Sequence, residues 1–206
     1  LIECCINQNV KNFVFSSTAA VYGIPEDGNV SEESRLSPIN PYGTSKLMSE
    51  WMLRDASAAH SLNHVVLRYF NVAGSSPDGT IGQSTKEATL LIKVACEAAL
   101  GKRDRLYIFG TDYPTPDGTG IRDYIHVSDL ANAHLKALDY LKDGGNSTTL
   151  NCGYGHGYSV REVIDTLNGL IDNPVAVVEA DRREGDPPSL IAQADQAKNI
   201  LGWEPQ

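Results

Sequence analysis

The sequence predicts an α/β protein: part of a doubly wound parallel sheet, joined to a smaller α/β unit. Two observations carry this. Phe13-Val14-Phe15 and Val65-Val66-Leu67 are short, wholly apolar runs of the kind that form strands buried on both faces of a parallel sheet. Between them lies one helix-length stretch, and strand-helix-strand alternation over residues 12–70 is the pattern of a doubly wound fold, whose ligands sit outside the carboxyl ends of the strands.

The elements follow in order. Leu1, Ile2, Cys5 and Ile6 fall at helical spacing before Asn7-Gln8-Asn9, as in the last turns of a helix. The strand at residues 13–15 ends in the small polar residues Ser16-Ser17-Thr18. Asn40-Pro41 starts the next helix, since Asn caps free amides and Pro suits the first helical position, and the helix runs to about Ala59. The strand at 65–67 carries Arg68-Tyr69-Phe70-Asn71 at its carboxyl end, which places Thr18 and Asn71 on one rim. Residues 72–85 read as a Gly/Ser/Asp loop, followed by a helix from about Lys86 to Leu100 and a strand Leu106–Phe109. Residues 110–121 form a second long loop, a length that is usually functional in a compact α/β protein. Tyr124–Val127 is a strand, and Ser128-Asp129 starts a helix to about Leu141 in which Leu130, His134, Leu138 and Leu141 share a side, so His134 reads as a packing residue. Ser159 and Glu162 make a capping box for a helix ending near Ile171. A strand at Val175–Val178 and a short helix capped by Asp195 complete the reading.

Composition limits the functions available. The 206 residues are 41% hydrophobic and 21% charged, an ordinary globular balance. A formal net charge of -9 argues against general affinity for nucleic acid or anionic membrane, so any anionic ligand must be gripped by a few local cations. No apolar run is long enough to span a bilayer and residues 1–20 show no signal-peptide pattern, so a cytoplasmic location is the default expectation. Cys4, Cys5, Cys96 and Cys152 form no C-x-x-C pair and read as reduced, buried thiols. The five histidines show no metal-ligand spacing, and no metal is expected.

Tyr42 and Lys46 put a phenol and an ammonium four residues apart on one helix face. A phenol loses its proton near pH ~10, so using one as a base near neutrality needs about 4 kcal/mol of help from neighbouring positive charge. One ammonium about 5 Å away at an effective dielectric near 20 supplies roughly 3 kcal/mol. Thr18, a hydroxyl at the preceding strand end, can share a substrate hydroxyl's proton with Tyr42. A Y-x-x-x-K spacing alone is common on solvated helices; the ordered triple of Thr, Tyr and Lys is far more specific.

Four segments together, Ser16-Ser17-Thr18-Ala19-Ala20-Val21-Tyr22-Gly23, Pro41-Tyr42-Gly43-Thr44-Ser45-Lys46, Leu67-Arg68-Tyr69-Phe70-Asn71 and Arg122-Asp123-Tyr124-Ile125-His126-Val127, resemble the extended short-chain dehydrogenase/reductases in that family's order. Residues 108–120, from Ile108-Phe109-Gly110 through Asp112-Tyr113-Pro114 to Gly118-Thr119-Gly120, are similar to the UDP-glucose 4-epimerases within it. The resemblance covers essentially the whole chain. It implies a Rossmann-type NAD-binding domain, a UDP-glucose/UDP-galactose substrate oxidised and re-reduced at C4 through a 4-keto sugar, and a homodimer formed through the Tyr-Lys helix and the helix before it. It further implies Tyr42, Lys46 and Thr18 as catalytic; Tyr42, Lys46, Phe70, Ser16 and Ser17 beside the NAD; and Thr18, Asn71, Leu91, Tyr107, Phe109, Arg122, Arg183 and Asp186 around the UDP-sugar. Arg122 and Arg183 then serve as the local cations that an acidic protein needs for a diphosphate.

This sequence departs from the family's pattern at Leu90, where a hydrogen-bonding Asn or His is usual, and at Leu190, where a mid-sized residue leans towards UDP-glucose and UDP-galactose over N-acetylated sugars. Related dehydratases need an acid and a base beside the Thr, and decarboxylases a carboxylate; here Ala19-Ala20 stand in those places and transfer no protons. No G-x-G-x-x-G follows a strand, and Gly153, Gly155 and Gly157 have the wrong spacing for one. The expectation is therefore an incomplete NAD-binding domain over residues 1–72, with a returning segment at about 122–152, and a substrate domain mainly over 73–206. Roughly 100 residues are expected before Leu1 and a shorter piece after Gln206. A catalytically silent partial domain is the alternative for the chain on its own.

Overall fold

The computed structural model describes residues 1–206. Helix α1 (Ile2–Asn7) leads into strand β1 (Asn12–Ser16), and a 3-10 turn at Ala19–Val21 follows, capped by Thr18, whose Oγ1 accepts from the Ala20 amide at 3.2 Å. After β2 (Asn29–Val30) comes α2 (Pro41–Ala59), which begins as its sequence dictates: the Asn40 side chain accepts from the Gly43 amide at 2.8 Å and proline occupies the first turn. Strand β3 (Asn63–Tyr69) passes through Phe70 into β4 (Asn71–Ala73). Next are α3 (Leu91–Ala99), β5 (Leu106–Phe109), β6 (Ile121–His126), α4 (Val127–Lys142) and β7 (Thr148–Cys152). The chain finishes with β8 (Gly157–Ser159), α5 (Val160–Asn168), β9 (Val177–Ala180), β10 (Ser189–Ala192) and α6 (Asp195–Leu201).

The strands form three sheets. The first is all parallel in the order β1-β3-β7. Helix α4 packs on β1 and β3, and Val65, Leu67, Leu130, Ala133, Ala137, Leu150 and Trp203 close a core there. The second runs β2-β10-β6-β4, with β8 antiparallel to β6. It pairs Leu190 with Arg122 and Asn71 with Tyr124. The third is the parallel pair β5-β9, whose residues Leu106 and Ile108 turn inward against Ala95 of α3 and Ile164 of α5. Period-two alternation then sends Tyr107 and Phe109 to the other face. Helix α4 packs on the first sheet and β7 is its third strand, while β6 belongs to the second sheet.

Several sequence expectations are corrected. All five residues of β1 are half-buried, because the strand lies at the edge of its sheet. Helix α3 starts at Leu91, five residues later than expected: Glu87 has φ 54°, and such a left-handed residue breaks a right-handed helix. Helix α5 ends at Asn168 and β9 begins at Val177. Strand β6 begins at Ile121, inside the expected loop. Asp195 is the first residue inside α6, with Ala194 outside it. Of the four free cysteines only Cys152 is buried, and burial pushes its thiol up to about 12, whereas Cys4 and Cys96 are exposed. Helix α1, which carries Cys4, buries none of its residues. No helix is long and apolar enough to cross a membrane.

Candidate active site

The rim forms where the first sheet hands the chain to the second. Ser16 pairs with Leu67, and the Ser17 amide donates to the Leu67 carbonyl at 2.8 Å, so the ends of β1 and β3 stay level. One residue later than Tyr69 the chain leaves the first sheet, and at Asn71 it enters the second. Thr18, Phe70 and Asn71 are thereby collected in one place.

The three hydroxyl residues after β1 face different ways. Ser16 Oγ lies 2.8 Å from Nε2 of His134, whose Nδ1 lies 2.8 Å from the Leu130 carbonyl, so this histidine ties α4 to the end of β1. Ser17 is fully buried and donates to Glu50. Glu50 is also the partner of Arg68, which reaches its two oxygens at 3.1 and 2.6 Å; Arg68 in turn donates to Tyr22 Oη at 3.1 Å. Of the three, Thr18 lines the smaller of the two cavities at this rim.

Two cavities meet at this rim. The smaller, about 210 Å³, is walled by Thr18, Phe70, Asn71, Arg122, Asp186 and Leu190, among others. The larger, about 380 Å³, is walled by Asn71, Leu91, Tyr107, Phe109, Arg122, Arg183 and Asp186, with Leu90 at its edge. Every residue expected around a UDP-sugar thus lines one or both, and Asn71, Arg122 and Asp186 line both. The sheets explain this: β10 sets Leu190 opposite Arg122 and β4 sets Asn71 opposite Tyr124, two residues further along β6, while β5 contributes its outward residues. Leu90 stands at the start of α3 and makes no side-chain cap, so that helix begins without the hydrogen bond an Asn could give.

Tyr42 and Lys46 line neither cavity; Asn40, which caps their helix, lines the smaller one. Lys46 Nζ donates to the Ser16 carbonyl at 2.9 Å, and lies 5.9 Å from the Tyr42 ring centre and 5.1 Å from that of Phe15. This anchors the ammonium to the end of β1 and leaves two of its three donors for other partners. The Tyr42 side is 52% exposed. Gly43 permits the approach of α2 to the capped turn: a Cβ there would meet the Ala20 carbonyl oxygen at 2.6 Å.

Three arginines line the larger cavity; Arg103 is paired with Glu97 at 2.6 Å, which leaves Arg122 and Arg183 as the cations without a close carboxylate. Burial pulls the Arg122 guanidinium below its ordinary value, opposed by Asp186, with which it pairs at 3.7 Å. Arg122 Nη1 donates to the Ile121 carbonyl at 2.8 Å, and a desolvated guanidinium whose charged partner is this distant favours a second anion. Arg183 stacks 3.9 Å from the Phe109 ring centre, which fixes its direction. Tyr113 and Tyr124 also line this cavity and were not singled out in the sequence. Tyr124 is raised to about 12 by burial. Tyr113 is 5% exposed and its hydroxyl is buried with no hydrogen-bond partner, a state that costs about 1–3 kcal/mol. No group of three or more His, Cys, Asp or Glu side chains is placed to hold a metal ion.

Residues 1–153 match the NAD dependent epimerase/dehydratase family. The chain belongs to that family. As a member of the epimerase/dehydratase family, it is 59% identical over all 206 residues to the UDP-glucose 4-epimerase of Azospirillum brasilense, covering 59% of that protein's length. The UDP-glucose 4-epimerase of Brucella ovis, solved in complex with NAD, superposes with a TM-score of 0.95 at 43% identity, over 100% of this chain and 63% of that one. That of Bifidobacterium longum, in complex with NAD+ and UDP, gives 0.94 at 40% identity, over 100% of this chain and 62% of that one. The chain spans about three fifths of the length of these epimerase/dehydratase relatives. The α/β fold with parallel sheets agrees with these structures, as the sequence predicts.

Proposed function

We propose that the chain forms the substrate-binding and proton-transfer part of an NAD-dependent UDP-glucose 4-epimerase, which interconverts UDP-glucose and UDP-galactose. The observation that carries this reading is the shared wall of the two cavities: Asn71, Arg122 and Asp186 connect a chamber holding the arginines with a chamber holding Thr18. The relatives' names and bound NAD and UDP support the same chemistry.

In this reading the larger cavity takes the nucleoside diphosphate, with Arg122 and Arg183 neutralising it. The smaller takes the hexose. Thr18 Oγ1 accepts from the Ala20 amide, so its own hydrogen is free to donate to the sugar O4. Tyr42 Oη takes the O4 proton as the C4 hydrogen leaves, and returns it when the 4-keto sugar is reduced on its other face. Lys46 supports the phenolate through its positive charge. The residues fit an NAD beside them: Lys46 keeps two donors for ribose hydroxyls, Tyr42 is open, and Phe70 walls the small cavity. NAD, when bound, accepts the hydride from C4 and gives it back. Ser16 and Ser17 would act there only through their backbone, since both side chains have inward partners.

The wider proposal keeps residues 1–72 with the returning segment as the cofactor side and 73–206 mainly as the substrate side. It includes a cytoplasmic enzyme and a homodimer through α1 and α2. The half-exposed Met48, Trp51 and Met52, at helical spacing on α2, support the dimer. The whole protein, given UDP-galactose and NAD, should yield UDP-glucose, and Tyr42→Phe should lose most of that turnover. Unchanged turnover in the variant would overturn the assignment. For the chain on its own, in which no G-x-G-x-x-G follows a strand, the second reading is a catalytically silent partial domain.

A further inference from the structure

We propose that Tyr22, which lines neither cavity, is a positioning residue for proton transfer: its buried hydroxyl closes a circuit of side chains that holds Thr18 in place. This deepens the proposed function and rests on it. The circuit starts one residue before Thr18, where Ser17 donates to Glu50. Arg68 donates to both oxygens of Glu50, at 3.1 and 2.6 Å, and through Nη1 to Tyr22 Oη at 3.1 Å. The backbone from Tyr22 back through Thr18 to Ser17 completes it. All four side chains are buried.

The direction of each bond is forced. The carbonyls of Val30 and Gln193 can only accept, so they take the Asn151 Nδ2 at 3.0 and 3.3 Å and leave Asn151 Oδ1 as an acceptor. Tyr22 therefore gives its one proton to Asn151, at 2.6 Å, and towards Arg68 it can only accept. Burial holds the phenol above its ordinary value, against the pull of Arg68, so that proton stays. Arg68 can only donate, which leaves Glu50 to accept both from it and from Ser17. A buried polar chain satisfied in this way specifies a single arrangement.

That arrangement fixes the turn bearing Thr18. The Val21 and Tyr22 amides bond to the Thr18 and Ala19 carbonyls at 3.4 and 3.1 Å, and Thr18 Oγ1 accepts from Ala20 within the turn. A single 3-10 turn holds itself poorly, and the circuit pins this one at both ends, at Ser17 and at Tyr22. Glu50 also lies one turn beyond Lys46 on α2, so the helix that carries Tyr42 and Lys46 is set against the same circuit. Neither Arg122 nor Arg183, the cations of the larger cavity, belongs to it.

Turnover of UDP-galactose by the whole protein with NAD, calorimetry with UDP, and thermal unfolding test this in Tyr22→Phe, Thr18→Ala and the double variant. Tyr22→Phe keeps the aromatic ring in its core and beside Arg68, which lies 5.2 Å from the ring centre, and removes only the hydroxyl. Its kcat should fall by roughly tenfold to a hundredfold while KM and UDP affinity stay within about twofold. In the Thr18→Ala background the same change should cost about threefold or less, because the group it positions is gone. Unchanged kcat in Tyr22→Phe overturns the inference, as do parallel losses of kcat and UDP affinity, or a loss that multiplies in full with that of Thr18→Ala. If unfolding shows that Tyr22→Phe is not folded, Ser17→Ala opens the same circuit on its other side and is held to the same outcomes. A wild type that does not convert UDP-galactose overturns the epimerase reading itself, and this inference with it.

Discussion

At the scale of single residues, the site depends on who may approach whom. Gly43→Ala would push a methyl against the Ala20 carbonyl and tilt the first turn of α2, so turnover of the whole protein should fall by about tenfold or more while UDP affinity holds. Equal losses in both would show that the glycine only supports the fold. Arg183→Ala removes a charge-assisted contact and should weaken UDP binding by roughly 1.5–3 kcal/mol, read by calorimetry. His64 gives a pH dependence. Burial lowers its imidazole below the ordinary value, against the pull of Glu50, and its Nδ1 is buried without a partner. A group depressed in this way favours the neutral ring, so its contribution is complete above the unfolded value near ~6.5 and is lost as pH falls below it. The unfolding midpoint should drop between about pH 7 and pH 5, with a shallower slope in His64→Leu. Thr18, Asn71, Phe109 and Arg122, which the structure places on the cavity walls, could be singled out because short motifs carry them. Tyr113 was not, since only the folded loop reveals that its hydroxyl has no partner.

At the scale of elements, the buried pair of Glu50 and Arg68 clips α2 to β3 and, through Ser17, to the end of β1. Glu50→Ala leaves a guanidinium buried with Tyr22 alone beside it among side chains, and should cost about 3–5 kcal/mol in denaturant unfolding. A loss below about 1 kcal/mol, the range of exposed pairs, would contradict that burial. The helices with chemical start signals were legible: Asn40-Pro41 and the Ser159/Glu162 box lie where the sequence put them. Short strands were not. Strand β7 reads Thr-Thr-Leu-Asn-Cys, and its Asn151 is buried because Tyr22 donates to its Oδ1 at 2.6 Å and its Nδ2 donates to the Val30 carbonyl at 3.0 Å. Those partners lie over a hundred residues away, beyond any local pattern. Strand β2, with two residues, and β10 are likewise defined by their neighbours.

At the scale of the whole molecule, the strands divide among three small sheets, the first of them all parallel. Strand β1 keeps one edge without a strand partner, and its five residues are half-buried. An edge of this kind is a template for further pairing. The chain should therefore self-associate as concentration rises, measurable by sedimentation velocity; a monomer throughout would show the edge to be adequately shielded. The handover at Phe70 has a further consequence. A ligand touching both Thr18 and Arg122 bridges two sheets that the chain joins through one residue at that point. Such a ligand is a cross-tie, and occupancy should make the two sheets open together in hydrogen exchange where, unliganded, each opens on its own.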